Sequence, residues 1–182
     1  HNLCPHFHLS LQSGCDATLK RMNRKYGTAR YYDSVELLRK YYVNPGITTD
    51  LIVGFPGETE EEFAQTLAFL RKCAFTAMHI FPYSPRPGTP AAAMSGQVPN
   101  AVKEERAHRA AAVAEQLQRA YLQSLVGQTL PVLFEEEKGG FTRGYAPNYA
   151  EVKLPGSHSL HNIEKSVRIT AAEEDFLLGE LL

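Results

Sequence analysis

The chain has 182 residues, 43% of them hydrophobic and 21% charged, with a formal net charge of -1. This is an ordinary globular composition. It excludes a strongly basic protein that coats nucleic acid, while a local basic patch stays compatible with it. No apolar run reaches the roughly 18 residues of a membrane span, and no charged-then-apolar leader is visible, so no membrane partner is expected.

Cysteine is scarce. Cys4, Cys15 and Cys73 lie at irregular spacings, which argues against a disulfide framework and for a reducing, cytoplasmic location. No two of them form a C-x-x-C pair, so an iron–sulfur cluster held wholly by this chain is hard to build.

In chain order, residues 6–11 (HFHLSL) form a short apolar run that ends at Gln12-Ser13-Gly14. Asp16 is placed to cap a short helix, and a second helix begins near Thr28 and ends before Asn44-Pro45-Gly46. Residues 47–53 (ITTDLIV) read as a strand covered on both faces. Gly54-Phe55-Pro56-Gly57 stops it. Thr59 and Glu62 then have the spacing of a capping box, with Phe63, Leu67 and Leu70 on one face of the helix that follows. Residues 77–81 are another strand. The Pro-rich stretch 82–99 reads as irregular, and Asn100 caps a long helix to about Val126.

Strand, loop and helix thus occur three times, which implies a parallel α/β sheet. The composition changes at Val126–Gly127: residues 1–126 carry a balance of +3 and residues 127–182 one of -4. A domain boundary is placed there. The tail holds five candidate strands, at 130–135, 141–145, 149–154, 166–170 and 176–182, which suit a small all-β closed barrel of the oligonucleotide-binding type.

Ligands of parallel α/β folds sit at the carboxyl ends of the strands. Here that edge carries Gln12-Ser13-Gly14, residues 54–58 and residues 82–86. Gln12 and Ser13 offer donors and acceptors, and Gly54 and Gly57 permit close backbone approach. Ordinary βα turns explain the same residues equally well. Lys20, Arg21, Arg24, Lys25 and Arg30, interleaved with Tyr26, Tyr31 and Tyr32, suit either an RNA grip or a solvated helical face. Cys4, His6 and His8 fall at period two, but no fourth zinc ligand is evident. The face of the long helix with Ala110, Val113, Leu117 and Tyr121 reads as core, without chemistry.

Four segments carry a family resemblance. Residues 50–59 (DLIVGFPGET) are similar to the strand-five motif of radical S-adenosylmethionine enzymes. Residues 8–14 (HLSLQSG) with 19–24 (LKRMNR), and residues 81–92 (FPYSPRPGTPAA), resemble the methylthiotransferase family. Residues 144–149 (GYAPNY) with Val152 resemble its terminal TRAM domain. The resemblance implies the C-terminal half of a partial (βα)6 barrel over residues 1–126, followed by a TRAM barrel over residues 127–182. Residues 11–15 and 78–84 look most like the subgroup that adds a methylthio group to carbon 2 of N6-threonylcarbamoyladenosine beside the tRNA anticodon.

In the complete enzyme that family implies S-adenosylmethionine and two 4Fe-4S clusters. One cluster reduces the cofactor to a 5′-deoxyadenosyl radical that abstracts hydrogen from the target carbon, sulfur delivered through the auxiliary cluster takes its place, and a second cofactor molecule supplies the methyl group. The Cys-x3-Cys-x2-Cys motif that binds the radical-generating cluster is absent from these 182 residues. The resemblance therefore implies a cluster-binding region before His1, an electron donor and tRNA as partners, and no turnover by this chain alone. It places Gln12, Ser13, Asp50, Gly54, Phe55, Pro56, Gly57 and Tyr83 at the cofactor. Lys20, Arg21, Arg24, Lys25, Arg86, Arg143, Tyr145 and Tyr149 are placed at RNA. The alternatives are a methylthiotransferase for isopentenyl-adenosine in tRNA or for a ribosomal-protein aspartate, and a non-catalytic RNA-binding module.

Overall fold

A computed structural model describes residues 3–182. By its contacts the chain forms two compact units. One comprises His8–Tyr42 and Ile47–Leu117, and the other comprises the described residues up to Phe7, Val43–Gly46 and Gln118–Leu182.

The sheet comprises strands β1 (His6–His8), β2 (Gly46–Val53) and β3 (Ala77–Pro82), in the order β1-β2-β3; its residues belong to the α/β unit except His6, Phe7 and Gly46, which belong to the other. β2 and β3 are parallel, with Asp50 opposite His79 and Ile52 opposite Phe81. Helices α1 (Asp16–Arg21), α2 (Thr28–Tyr41) and α3 (Glu60–Cys73) fall between the strands, and α4 (Pro90–Ala93) and α5 (Asn100–Leu125) follow β3. The core gathers Leu11, Tyr31, Val35, Ile47, Leu51 and Val53 with Phe63, Leu70, Phe75, Ala110 and Val113. The strand at 47–53 and the helical positions Phe63, Leu70, Ala110 and Val113 follow the periods read from the sequence, whereas Tyr31, read there with the basic cluster, is buried in this core.

Details differ from the sequence expectation. Strand β1 stops at His8 because the amide of Leu11 goes to the Thr49 side chain at 2.9 Å instead of a strand carbonyl. Gln12 rejoins the sheet as an isolated parallel bridge to Leu51. Asp16 is the first residue of α1, not its cap. Its carboxylate instead accepts the Thr28 amide at 2.7 Å, and so serves the first turn of α2. The Pro-rich stretch contains α4, where Pro90 occupies the first turn and loses no hydrogen bond there. Asn100 lies inside α5, and its side chain accepts from Lys103 Nζ at 3.4 Å. The capping box is formed as read: Glu62 N donates to Thr59 Oγ1 at 3.2 Å, and Thr59 N donates to Glu62 at 3.1 Å.

The second unit contains a closed barrel of β4 (Thr129–Lys138), β5 (Phe141–Tyr145), β6 (Glu151–Pro155), β7 (Ile163–Ala172) and β8 (Leu177–Leu181), in the order β4-β5-β6-β8-β7. Alternate residues point inward, which puts Val132, Phe134, Val152, Leu154, Val167, Ile169 and Leu177 into one core. Closure needs a glycine at 144: a Cβ there would lie 2.3 Å from the Leu133 carbonyl oxygen.

Candidate functional site

The face of the sheet opposite the helices is polar at its start and apolar at its exit. On β2, Thr48, Asp50 and Ile52 alternate with the buried Ile47, Thr49, Leu51 and Val53. His8 uses both ring nitrogens on this face, Nδ1 to Thr48 Oγ1 at 3.0 Å and Nε2 to Asp50 Oδ2 at 3.1 Å. Ser10 Oγ donates to the same Asp50 oxygen at 3.2 Å. His79 stands opposite Asp50, and its ring centroid is 6.4 Å from that of His8. With two neighbours on one oxygen, the Asp50 carboxylate fixes the imidazole of His8.

Beside this floor, at the exit end of the face, lies a cavity of about 520 Å³, lined by Gln12, Asp50, Ile52, Phe81, Tyr83 and Arg86 among others. That volume falls in the usual range for small-molecule sites. Gln12 turns into it with φ 71°, a left-handed conformation that its two sheet hydrogen bonds maintain: its amide donates to Asp50 O and its carbonyl accepts from Ile52, both at 2.9 Å. Tyr83 packs edge-on against Phe55 at 5.2 Å, and its buried hydroxyl has no partner among the described residues. The amide of Tyr83 donates to the Val53 carbonyl and ties the β3 exit to the β2 exit.

The turn after β2 is braced from behind by α5. Gly54, at φ 70°, donates its amide to Glu58 Oε2 at 2.6 Å. Arg106 Nη1 donates both to that oxygen, at 2.8 Å, and to the Glu58 carbonyl at 3.0 Å. Burial pushes the Glu58 carboxyl above its ordinary range, opposed by the Gly54 amide and the Arg106 guanidinium. Lys103 fills the space behind Gly54: a Cβ there would lie 2.4 Å from Lys103 Cγ. Sequence reasoning gave α5 no chemistry and missed both cations. The signal was present, because 103, 106, 110 and 113 share one helical face, and a cation on the apolar face of a helix needs a buried acceptor.

Of the eight residues placed at the cofactor, the structure brings Gln12, Asp50 and Tyr83 into the cavity wall. Ser13 is fully buried, its hydroxyl shared between Thr66 Oγ1 and the Cys15 amide, each at 3.3 Å. Gly54, Phe55 and Pro56 are buried at the neighbouring strand exit, and Gly57, at φ 77°, is exposed with its amide bonded to Gly96 O. An apolar wall of Ile52 and Phe81 beside an amide, a carboxylate and the partnerless Tyr83 hydroxyl fits a flat heterocycle that carries hydroxyl groups.

Of the residues placed at RNA, Lys20, Arg24, Lys25 and Arg86 are exposed. Arg21 is engaged by both carboxylate oxygens of Glu62, Nη1 to Oε1 at 2.9 Å. Among the tyrosines interleaved with this cluster, Tyr26 and Tyr31 donate their hydroxyls to sheet carbonyls at Ser10 and Leu9. In the barrel unit Arg143 is paired with Glu136 and Glu151. Tyr149, at φ 66°, stacks on Tyr145 and on His6, each at 4.9 Å.

The cysteines do not fit an iron–sulfur cluster. Cys15 and Cys73 are buried and Cys4 is exposed, and no group of three His, Cys, Asp or Glu among the described residues is arranged to hold a metal ion. No helix among them is long and apolar enough to cross a membrane.

Comparison with known proteins adds sequence relationships to this geometry. The family model described as the Radical SAM superfamily matches residues 1–70. The threonylcarbamoyladenosine tRNA methylthiotransferase MtaB of Bacillus subtilis (strain 168) is 38% identical over 182 residues, which cover 97% of this chain and 40% of that protein. The tRNA-2-methylthio-N(6)-dimethylallyladenosine synthase of Mycobacterium bovis (strain ATCC BAA-935 / AF2122/97) is 49% identical over 138 residues, 76% of this chain and 27% of that protein. The synthase of the same name from Nocardia farcinica (strain IFM 10152) is 47% identical over 138 residues, with the same two coverages. The chain thus spans well under half the length of these relatives.

Proposed function

We propose, for a chain that belongs to the radical S-adenosylmethionine methylthiotransferase family, that it forms one wall of a site where a methylthio group is added to carbon 2 of N6-threonylcarbamoyladenosine in tRNA. The observation that carries the substrate is coverage. The similarity to the Bacillus subtilis enzyme runs over 97% of the chain, against 76% for the dimethylallyladenosine synthases. A second reading, dimethylallyladenosine as substrate, is favoured by the higher identity of 49% within the shorter match.

In this reading residues 1–126 are the C-terminal half of a partial (βα)6 barrel and residues 127–182 are a TRAM domain. In the complete enzyme one S-adenosylmethionine, reduced by one electron from a cluster, would supply the radical that activates the target carbon, a second would supply the methyl group, and the sulfur would come through the auxiliary cluster. The chain's own residues bind and orient. Ile52 and Phe81 offer a flat apolar wall, and Gln12, Asp50 and Tyr83 offer the polar groups around it. The turn at Gly54–Gly57 is held rigid by Glu58 and Arg106. Lys20, Arg24, Lys25 and Arg86 supply positive charge toward tRNA, with Arg21, Arg143, Tyr145 and Tyr149 in supporting positions. The cysteines of this chain do not fit an iron–sulfur cluster, so a cluster-binding region of the same enzyme would hold the clusters, with an electron donor as partner and a cytoplasmic location.

A chimera tests the reading. The 182 residues replace the matching segment of the Bacillus subtilis enzyme, and the product is incubated with tRNA that carries either modified adenosine. Nucleoside mass spectrometry is expected to find the methylthio group on threonylcarbamoyladenosine. Methylthiolation of dimethylallyladenosine alone would select the second reading. A chimera that binds S-adenosylmethionine and modifies neither tRNA would overturn both.

A further inference from the structure

We infer that the open face of the β1-β2-β3 sheet selects a polar N6 substituent on the target adenosine, with Arg86 as the partner of its carboxylate and His79 as a hydrogen-bonding partner of its hydroxyl or ureido group. This inference rests on the reading above, that the chain acts on a modified adenosine in tRNA, and it assigns the part of the site that distinguishes the two candidate substrates.

The two substituents differ sharply in chemistry. A dimethylallyl group is a branched hydrocarbon with no donor or acceptor. A threonylcarbamoyl group carries a carboxylate, a hydroxyl and a ureido link. The polar floor beside the cavity matches the second. Asp50 lines the cavity and joins it to a connected set of hydrogen bonds with His8, Ser10 and Thr48 on the same sheet face, and His79, opposite Asp50 on the next strand, is exposed. A hydrocarbon pressed against Asp50 would strip water from polar groups and return no hydrogen bond, and sites built to hydrogen-bond their substrate reject analogues that lack the polar group.

Charge fixes the orientation. The Asp50 carboxylate would repel a second carboxylate on the floor, so the acid group of the substituent belongs at the rim. Arg86 lines the same cavity and is exposed, and its guanidinium has no hydrogen bond or ion pair among the described residues. The loop that carries it is held in place, because Thr89 Oγ1 donates to the Arg86 carbonyl at 2.8 Å. A guanidinium on a fixed loop is suited to two parallel hydrogen bonds with one carboxylate. The imidazole of His79 makes no hydrogen bond among the described residues either, so its ring nitrogens can serve the hydroxyl or the ureido oxygen. His8, already held by Thr48 and Asp50, keeps the floor in place.

The test uses the chain with free nucleosides. N6-threonylcarbamoyladenosine, N6-dimethylallyladenosine and adenosine are each titrated into it, and affinity is read by calorimetry together with the histidine ring signals in proton NMR. The expected result is binding of the threonylcarbamoyl nucleoside at least tenfold tighter than the other two, with a shift of the His79 signals. Arg86→Met and His79→Leu, both at exposed positions, should each reduce that preference severalfold, with the larger loss falling on the threonylcarbamoyl nucleoside. A preference that persists in both variants overturns the inference and leaves the substrate reading standing. Tighter binding of the dimethylallyl nucleoside overturns both. Equal weakening of all three nucleosides in Arg86→Met would mark a general contact and overturn the selective role, as would an absence of binding by all three.

Discussion

Arg106 of α5 donates to Glu58 at 2.8 Å across a pair whose side chains are 5% and 1% exposed, and the same Glu58 oxygen takes the amide of Gly54. The conformation of the turn at the β2 exit therefore depends on a helix that begins more than forty residues later in the sequence. Glu58 Oε1 and Arg106 Nε have no partner among the described residues, so this arrangement serves to fix the turn more than to maximise stability.

Breaking that pair on one side should be costly. Arg106→Met leaves a buried carboxylate without its cation, and the expected loss is about 3–5 kcal/mol. Denaturant titration checks it. The double variant Glu58→Gln with Arg106→Met should recover part of the loss, since neither position of the pair then holds a buried charge. A single-variant loss below about 1 kcal/mol would show that water or another cation compensates.

Two glycines with positive φ offer a controlled comparison. A Cβ at Gly88 would meet nothing within 4 Å, whereas one at Gly54 would lie 2.4 Å from Lys103 Cγ. Gly88→Ala should cost only the left-handed backbone term, roughly 1–2 kcal/mol. Gly54→Ala should cost clearly more, because Lys103 has to move, and Gly54→Val more again. Equal losses at positions 54 and 88 would show that the Lys103 contact carries no weight.

Acid should reveal the Arg21–Glu62 pair. The hydrogen bonds from Arg21 lower the Glu62 carboxyl below its ordinary range, partly offset by burial. A lowered folded value means that the contribution to stability is present above the ordinary carboxylate range and is lost as pH falls through the folded value. Glu62→Gln should therefore melt below wild type at neutral pH, and the gap should close as the pH drops below the ordinary carboxylate range. A gap that stays constant down to strongly acidic pH would contradict this linkage.

Thiol labelling should separate the three cysteines. Burial pushes the Cys73 thiol up to about 12, and Cys15 is also buried, its Sγ directed to Gln65 Oε1 at 3.3 Å. The thiolate is the reactive form. At mildly alkaline pH an alkylating reagent should modify the exposed Cys4 rapidly and leave Cys15 and Cys73 intact until the chain unfolds. Rapid native-state labelling of Cys73, read by peptide mass spectrometry, would contradict the placement.

Local signals in the sequence were legible where they act over a few residues. The Thr59–Glu62 capping box, the β-branched strand at 47–53 and the five strands of the tail all follow from short-range patterns. Partners distant in sequence were not. Asp16 has the form of a cap for its own helix, but tertiary packing brings Thr28 to it. Arg21 reads as part of a basic cluster, but Glu62 lies on a different helix. Arg106 has no role in the sequence reading of α5, and only the folded chain shows the buried carboxylate it meets. Likewise, nothing local to His8, Asp50 or His79 marks them as one group; the parallel register of adjacent strands assembles them.

The exits of β1, β2 and β3 are proposed to form a wall for S-adenosylmethionine. Adding S-adenosylmethionine to the isotopically labelled chain and following its backbone amides tests this most directly. Saturable shifts are expected at Gln12, Gly54, Phe55, Gly57 and Tyr83, with the barrel residues 129–181 unmoved. Shifts confined to the barrel, or none at any of these strand exits, would contradict it.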